Sequence, residues 1–335
     1  DFYFGINLSR ALTLSVKNAT KSFKLLSSGR VQGPTLKLLA EREIEIQEFK
    51  SKPFWELEAL GDVTAQHKDG KFWEEKEVKK IYEKIKNEKS AVVREITKKT
   101  QLQSPPNPFD LTSLQLEAYR LFKINPKDSL ALAQSLYTKA YISYPRTSSN
   151  QFPPNLNLKS ILQKLEKQSE YSKLIQELLA KNKLKPNNGK KTDPAHPPIH
   201  PTGLSPKKLP EKESKIYDLI VRRTLATLAD PAKRESVSSE LDIKKEPFIA
   251  TGIKTVEPGW HKFYGKYAKF DEINLPDMKE GSFIKIKKIN LHSKETQPPK
   301  RYTPASVIKE LENRNLGTKA TRSQILEALY QRNYI

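Results

Sequence analysis

The chain has 335 residues, enough for two or three domains with a sizeable buried core, and its 60 Lys and Arg against 39 Asp and Glu leave a net charge of +21. No run approaches the roughly 18 apolar residues of a membrane span, and the N-terminal segment lacks the unbroken apolar core of a signal peptide. Zero Cys excludes a disulfide framework, a thiolate metal site and a cysteine nucleophile, and fits a cytoplasmic protein. The basic surplus points to a polyanion, nucleic acid first and an anionic membrane surface second. A Lys- and Glu-rich thermophile surface is the plainer alternative, but it keeps the two signs closer to balance.

Residues 1–49 are predicted helical. Ile6, Leu8, Ala11, Leu12 and Val16 make one apolar stripe, and Leu36, Leu39, Ala40, Ile44 and Ile46 another, with turn residues in 27–35 between them. From Phe54 the period changes: Trp55, Leu57 and Ala59 alternate with Glu56 and Glu58 as in a half-buried strand, and 68–71 is a turn. The Gln-Ser-Pro-Pro-Asn-Pro run at 103–108 marks a boundary, and a helical block follows to about Leu228. Within it, Asn125 is the expected N-cap of a helix with Pro126 at its first position. Leu130, Ala133, Leu136, Tyr137 and Ala140 form that helix's buried face. Residues 185–204 are a Pro- and Asn-rich loop carrying His196 and His200.

Alternation returns from about Glu235 to Leu291, and helix signals resume at Thr303 and again over 321–332. Trp55, Trp73 and Trp260 are assigned to packing, and Tyr137 and Tyr141 to the core. The order helical, strand, helical, strand, helical implies nested domains. A helical domain at 106–232 would sit inside a β-rich one at 54–105 and 233–296, itself inside a split helical one at 1–53 and 297–335.

The chemistry concentrates at Tyr144. Pro145 stops helix continuation, and Arg146 follows two residues after the tyrosine, on the same side of an extended chain. A free tyrosine, with a pKa of about 10, is a weak nucleophile at neutral pH. A nearby cation favours the phenolate and neutralises charge developing on a phosphate. A phosphotyrosine link would retain the bond energy for resealing. On spacing alone, a tyrosine beside an arginine is more often a packing or cation–π contact.

Six segments then lift the reading. Ile142-Ser-Tyr-Pro-Arg-Thr-Ser-Ser149 resembles the DNA-cleaving tyrosine element of type IA DNA topoisomerases, with Ser148 where that family usually has Asp. Ser28-Gly-Arg-Val-Gln-Gly-Pro-Thr35, Thr112-Ser-Leu-Gln-Leu-Glu-Ala118 and Ala195-His-Pro-Pro-Ile-His-Pro-Thr202 resemble further elements of that family, in order. So do Arg301-Tyr-Thr-Pro-Ala305 and Leu316-Gly-Thr-Lys-Ala-Thr-Arg322, and the likeness covers essentially the whole chain.

The resemblance implies a mixed α and β, toroidal core of nested domains, with helical outer and catalytic-tyrosine domains joined by a β-rich arch. It implies Tyr144 as nucleophile, Arg146 as its phosphate partner and His196 at the active site. DNA contacts are expected from Arg10, Arg30, Gln32, Gln115, Thr147, Ser149, His200, Thr202, Lys319, Thr321 and Arg322. The implied partner is DNA, preferably single-stranded, in the nucleoid. The family's Mg²⁺ is held by carboxylates of an N-terminal Toprim domain. No such pattern is present here, so the Mg²⁺ site is expected on a separate Toprim-bearing segment or chain. Asp110, Asp128 and Asp193 do not make a metal site. The topoisomerase module of a reverse gyrase and a non-catalytic single-stranded DNA clamp remain the rival readings.

Overall fold

The structure, a computed structural model, describes residues 2–335. In chain order the elements begin α1 (Phe2–Thr20), α2 (Gln32–Gln47), β1 (Pro53–Gly61), β2 (Thr64–His67), α3 (Glu75–Ile85) and β3 (Ser90–Gln103). Five helices follow: α4 (Leu111–Phe122), α5 (Pro126–Thr138), α6 (Leu158–Leu165), α7 (Ser169–Leu179) and α8 (Glu211–Thr227). Then come β4 (Ala232–Ile243), β5 (Glu246–Glu257), α9 (Trp260–Tyr264), β6 (Phe283–Glu295), α10 (Pro304–Asn313) and α11 (Arg322–Gln331). They divide into two compact units. One takes the chain up to Glu48 with Asn107–Thr224 and Pro299–Ile335; the other takes Phe49–Pro106 and Leu225–Pro298.

The second unit is a closed antiparallel barrel in the order β1-β2-β5-β4-β3-β6. Closure leaves no unpaired edge, which is how a small sheet avoids pairing with other chains. Alternate residues fill its interior: Leu57 and Ala59 from β1, Leu241 and Ile243 from β4, Phe248 and Ala250 from β5, Ile284 and Ile286 from β6. Helix α3 adds Val78 and Ile85 to the same core. Its Glu75 and Glu77 lie in the first turn and Lys84 in the last, matching the helix dipole. Neither α3 nor the full length of β3 stands out in the charged sequence of 75–103. Of the three tryptophans, Trp260 is buried and donates to the Gln103 carbonyl at 3.0 Å, and Trp55 packs against the barrel core. Trp73 departs from its assignment to packing: it is exposed, with its ring 5.8 Å from that of Phe54.

In the first unit, helices are started by side-chain caps. Ser113 N donates to Asp110 Oδ1 at 2.7 Å while the Asp110 amide donates back to Ser113 Oγ at 3.0 Å. Thr303 and Ser306 repeat this box at α10. Asn125 occupies the N-cap position before Pro126, but its side chain makes no capping bond. Pro126 lacks an N–H and its ring presets φ, so α5 begins with less need of one. Leu114 and Ala118 of α4, Leu136 of α5 and Leu311 of α10 are fully buried. Helix α1 forms, yet its apolar stripe is left open: Ile6, Leu8 and Leu12 are all exposed. Tyr137, expected in the core, is 40% exposed and lies beside Tyr144 instead.

Candidate active site

The tyrosine segment is built by two stretches of chain that hold each other. After α5 the chain turns at Ala140, φ +60°, with Tyr141 N donating to Leu136 O at 3.0 Å, and leaves as an irregular strand. That strand runs against the histidine loop. Ser143 N donates to His200 O at 2.8 Å, and Thr202 N to Tyr141 O at 3.1 Å. The Ser143 hydroxyl accepts from His200 N and donates to Pro198 O, at 3.0 and 3.1 Å. Further along, Thr147 Oγ1 donates to His196 O at 3.2 Å. Prolines at 194, 197, 198 and 201 lack N–H groups and have restricted φ, so these few bonds are enough to set the loop's path.

His196 is thereby laid on the Tyr144 ring, with centroids 4.6 Å apart and planes 38° from parallel. Tyr137 of α5 meets the same ring edge-on at 5.2 Å. Tyr144 is half-buried, and its hydroxyl has no hydrogen-bond partner among the described residues. Arg146, also half-buried, makes no ion pair among them. A guanidinium with its five donors unused is suited to a phosphate.

Behind His196 lies Asp193, whose side chain is only 7% exposed. Its Oδ1 accepts from the Ala195 amide at 3.1 Å and lies 3.7 Å from His196 Nδ1, a buried nitrogen without a hydrogen-bond partner. Its Oδ2 accepts from both the amide and the hydroxyl of Ser148, each at 3.3 Å, and from the Lys319 ammonium. Burial alone would raise this carboxyl. The Lys319 contact and the Ala195 and Ser148 amides outweigh it and hold Asp193 well below the ordinary carboxylate range. So the position where the resemblance leads one to expect an acid holds Ser148, and the acid beside it comes from another segment. In the sequence Asp193 is a lone carboxylate that completes no metal site. Its i, i+3 spacing to His196 is visible there, whereas its approach to Ser148 and Lys319 is not.

The remaining expected residues fall into groups. Arg10 and Arg30 line an open groove of about 990 Å³ between α1 and the 23–30 segment, together with Phe4, Leu8, Leu14 and Phe23. Gln32 Oε1 accepts from Arg332 at 2.8 Å. Gln115 is buried and its Nε2 donates to Pro126 O at 2.9 Å. Thr147 and Ser149 are buried in the turn after Arg146, where Ser149 N donates to Thr147 Oγ1 at 3.0 Å.

His200 is buried, with Nδ1 2.7 Å from Pro198 O, and burial pushes its imidazole below the usual value. Thr202 Oγ1 donates to Ala140 O at 2.7 Å. Thr321 Oγ1 accepts from the Thr318 amide at 2.9 Å, and Arg322 donates to Leu316 O at 2.9 Å and Gly317 O at 3.2 Å. The structure thus gathers His196 with Tyr144, and Lys319 with Asp193 behind them. Arg10 and Arg30 gather in a separate groove.

Mg²⁺ does not fit the side chains present. Among the described residues no three His, Asp or Glu groups converge. Asp110 caps α4 and holds Lys191 at 3.3 Å, while Asp193 holds Lys319.

A family model described as DNA topoisomerase matches residues 1–335. DNA topoisomerase 1 of Methanocaldococcus jannaschii is 52% identical over 338 residues, covering 100% of this chain and 44% of that protein. DNA topoisomerase 1 of Pyrococcus horikoshii is 48% identical, covering 100% of this chain and 50% of that protein. The structure of full-length topoisomerase I from Thermotoga maritima superimposes with a TM-score of 0.77 at 28% identity, over 98% of this chain and 55% of that one. The chain spans about half the length of the curated relatives it matches. A family match across every residue, with archaeal topoisomerases about half identical along the full chain, places it: the chain belongs to the type IA DNA topoisomerases.

Proposed function

We propose that this chain supplies the tyrosine half of a strand-cleaving site, in an enzyme that relaxes negative supercoils or unlinks DNA without ATP. The Tyr144 oxygen attacks a backbone phosphorus of single-stranded DNA. The new O–P bond replaces the bond to the 3′ oxygen, which leaves as a 3′-hydroxyl after taking up a proton. The phenol's proton is given up, and the 5′ end stays linked to Tyr144. A second strand passes, and the 3′-hydroxyl reverses the exchange. Arg146 neutralises charge on the phosphate, and His196, against the tyrosine ring, donates a hydrogen bond to it. Arg10, Arg30, Gln32, Lys319, Thr321 and Arg322 hold the flanking strand by its phosphates, and Gln115, Thr147, Ser149, His200 and Thr202 support the segments that carry these contacts.

The observation that carries this reading is the Tyr144–His196 pair, assembled from two distant segments beside an Arg146 left without an ion pair. The carboxylates and Mg²⁺ are supplied by a Toprim-bearing segment or chain. The exposed apolar side of α1 supports a covering segment of that kind.

The test uses the full-length protein with end-labelled single-stranded DNA and denaturation to trap adducts. The native enzyme should give a DNA-linked band, and Tyr144→Phe should abolish the band while keeping DNA affinity within about twofold. A band that persists in Tyr144→Phe rejects Tyr144 as nucleophile. Equal DNA binding with no band in either protein is the behaviour of a clamp.

A further inference from the structure

We infer that Asp193 is a positioning residue for the cleavage step, holding the tyrosine segment, the histidine loop and Lys319 in one arrangement; this rests on the strand-cleavage reading above. Each carboxylate oxygen serves a different neighbour. Oδ1 takes the Ala195 amide at 3.1 Å and faces His196 Nδ1 at 3.7 Å. Oδ2 takes the Ser148 amide and hydroxyl and the Lys319 ammonium. These partners lie far apart in sequence: Ser148 follows the tyrosine, Ala195 and His196 sit in the loop, and Lys319 precedes α11.

Two physical consequences follow. The buried His196 Nδ1 has no other acceptor, so the carboxylate favours the ring orientation that turns Nδ1 inward and leaves Nε2 as the nitrogen available to a phosphate. Meanwhile Lys319 is held next to the tyrosine segment with its charge compensated, so that an arriving phosphate competes with Asp193 for the same ammonium. Asp193 touches neither the tyrosine ring nor, on this arrangement, the DNA. It acts through His196, Ser148 and Lys319.

Because Ser148 Oγ lies 3.3 Å from Asp193 Oδ2, a carboxylate grown from position 148 reaches nearly the same place. That makes a relocation test possible in the full-length enzyme. Asp193→Asn keeps the shape and removes the charge. Ser148→Asp/Asp193→Ser moves the charge across the contact. Melting temperatures are compared first, and Asp193→Ala serves as the measure of simple loss of packing.

The expected result is a fall of roughly 10- to 100-fold in the adduct-forming rate for Asp193→Asn, with single-stranded DNA affinity equal to or above the native value. The relocated carboxylate should restore most of the rate. An Asp193→Asn enzyme with the native rate overturns the inference, as does a relocated variant no faster than Asp193→Asn. Failure of the strand-cleavage reading looks different: the native enzyme itself then forms no Tyr144 adduct.

Discussion

Buried imidazoles give the clearest handle at the level of single residues. His67, His200 and His261 are all pushed below the usual histidine value, and burial is the largest cause at each. His67 is wedged between Phe72 and Phe248, and His200 against Phe152, where an imidazolium has little solvent. A depressed histidine is neutral in the fold while the unfolded chain takes up a proton below its ordinary value of 6.5. The stabilisation is therefore complete above that pH and drains away as pH falls from there toward the depressed folded values. The melting temperature should drop between about pH 7 and about pH 5.5, before the carboxylates with lowered values begin to titrate. A His67→Gln/His200→Gln variant should lose most of that slope, and an unchanged slope would contradict the assignment of these two groups. The sequence marked His200 as a phosphate contact from its family position. Only the packing of Phe152 and the Pro198 carbonyl reveals that it is enclosed.

Among the elements, the β1–β6 pairing shows how one small residue fixes a barrel. The ladder runs in register from Pro53↔Glu295 to Leu60↔Lys288, then slips at Gly61, which pairs with Ile286. A side chain at 61 would place its Cβ 1.9 Å from the Lys285 carbonyl oxygen, which is backbone and cannot swing away. Gly61→Ala should therefore cost about 1–3 kcal/mol, read as a lower denaturant midpoint for the barrel. A variant as stable as the native protein would mean that the bulge relaxes freely. Long, strongly patterned elements were legible before the fold. The alternation in β1 and the Thr303-Pro304 helix start are local signals carried by side-chain period and capping chemistry. Strand β3 was not legible, because its second half is a polar ribbon, Thr97-Lys-Lys-Thr-Gln101, held by cross-strand bonds to β4 rather than by a buried face. The α1 stripe shows the converse: its helical period is plain in the sequence, but a period cannot tell whether anything covers it.

For the molecule as a whole, charge is the quantity that sequence alone supplies. A net +21 spread over 335 residues should make single-stranded DNA binding steeply salt-dependent. The affinity should fall linearly on a log–log plot with a slope of about −0.7 for each phosphate engaged. Replacing Arg10 and Arg30 together by Gln should reduce the slope by about one to two phosphates' worth, measured by fluorescence anisotropy across a salt series. An unchanged slope would place the DNA path away from their groove. By itself the amino-acid order determined the family and the basic charge, and it located the tyrosine proposed as nucleophile, because motifs, charge and side-chain period are written locally. What only the tertiary structure decided is which groups meet. The ring of His196 lies on Tyr144 although 52 residues separate them, since the Ser143–His200 and Thr147–His196 bonds join their segments. Asp193 gained its place behind that pair for the same reason: a carboxylate finds its partners through space, and only folding brings Ser148 and Lys319 within its reach.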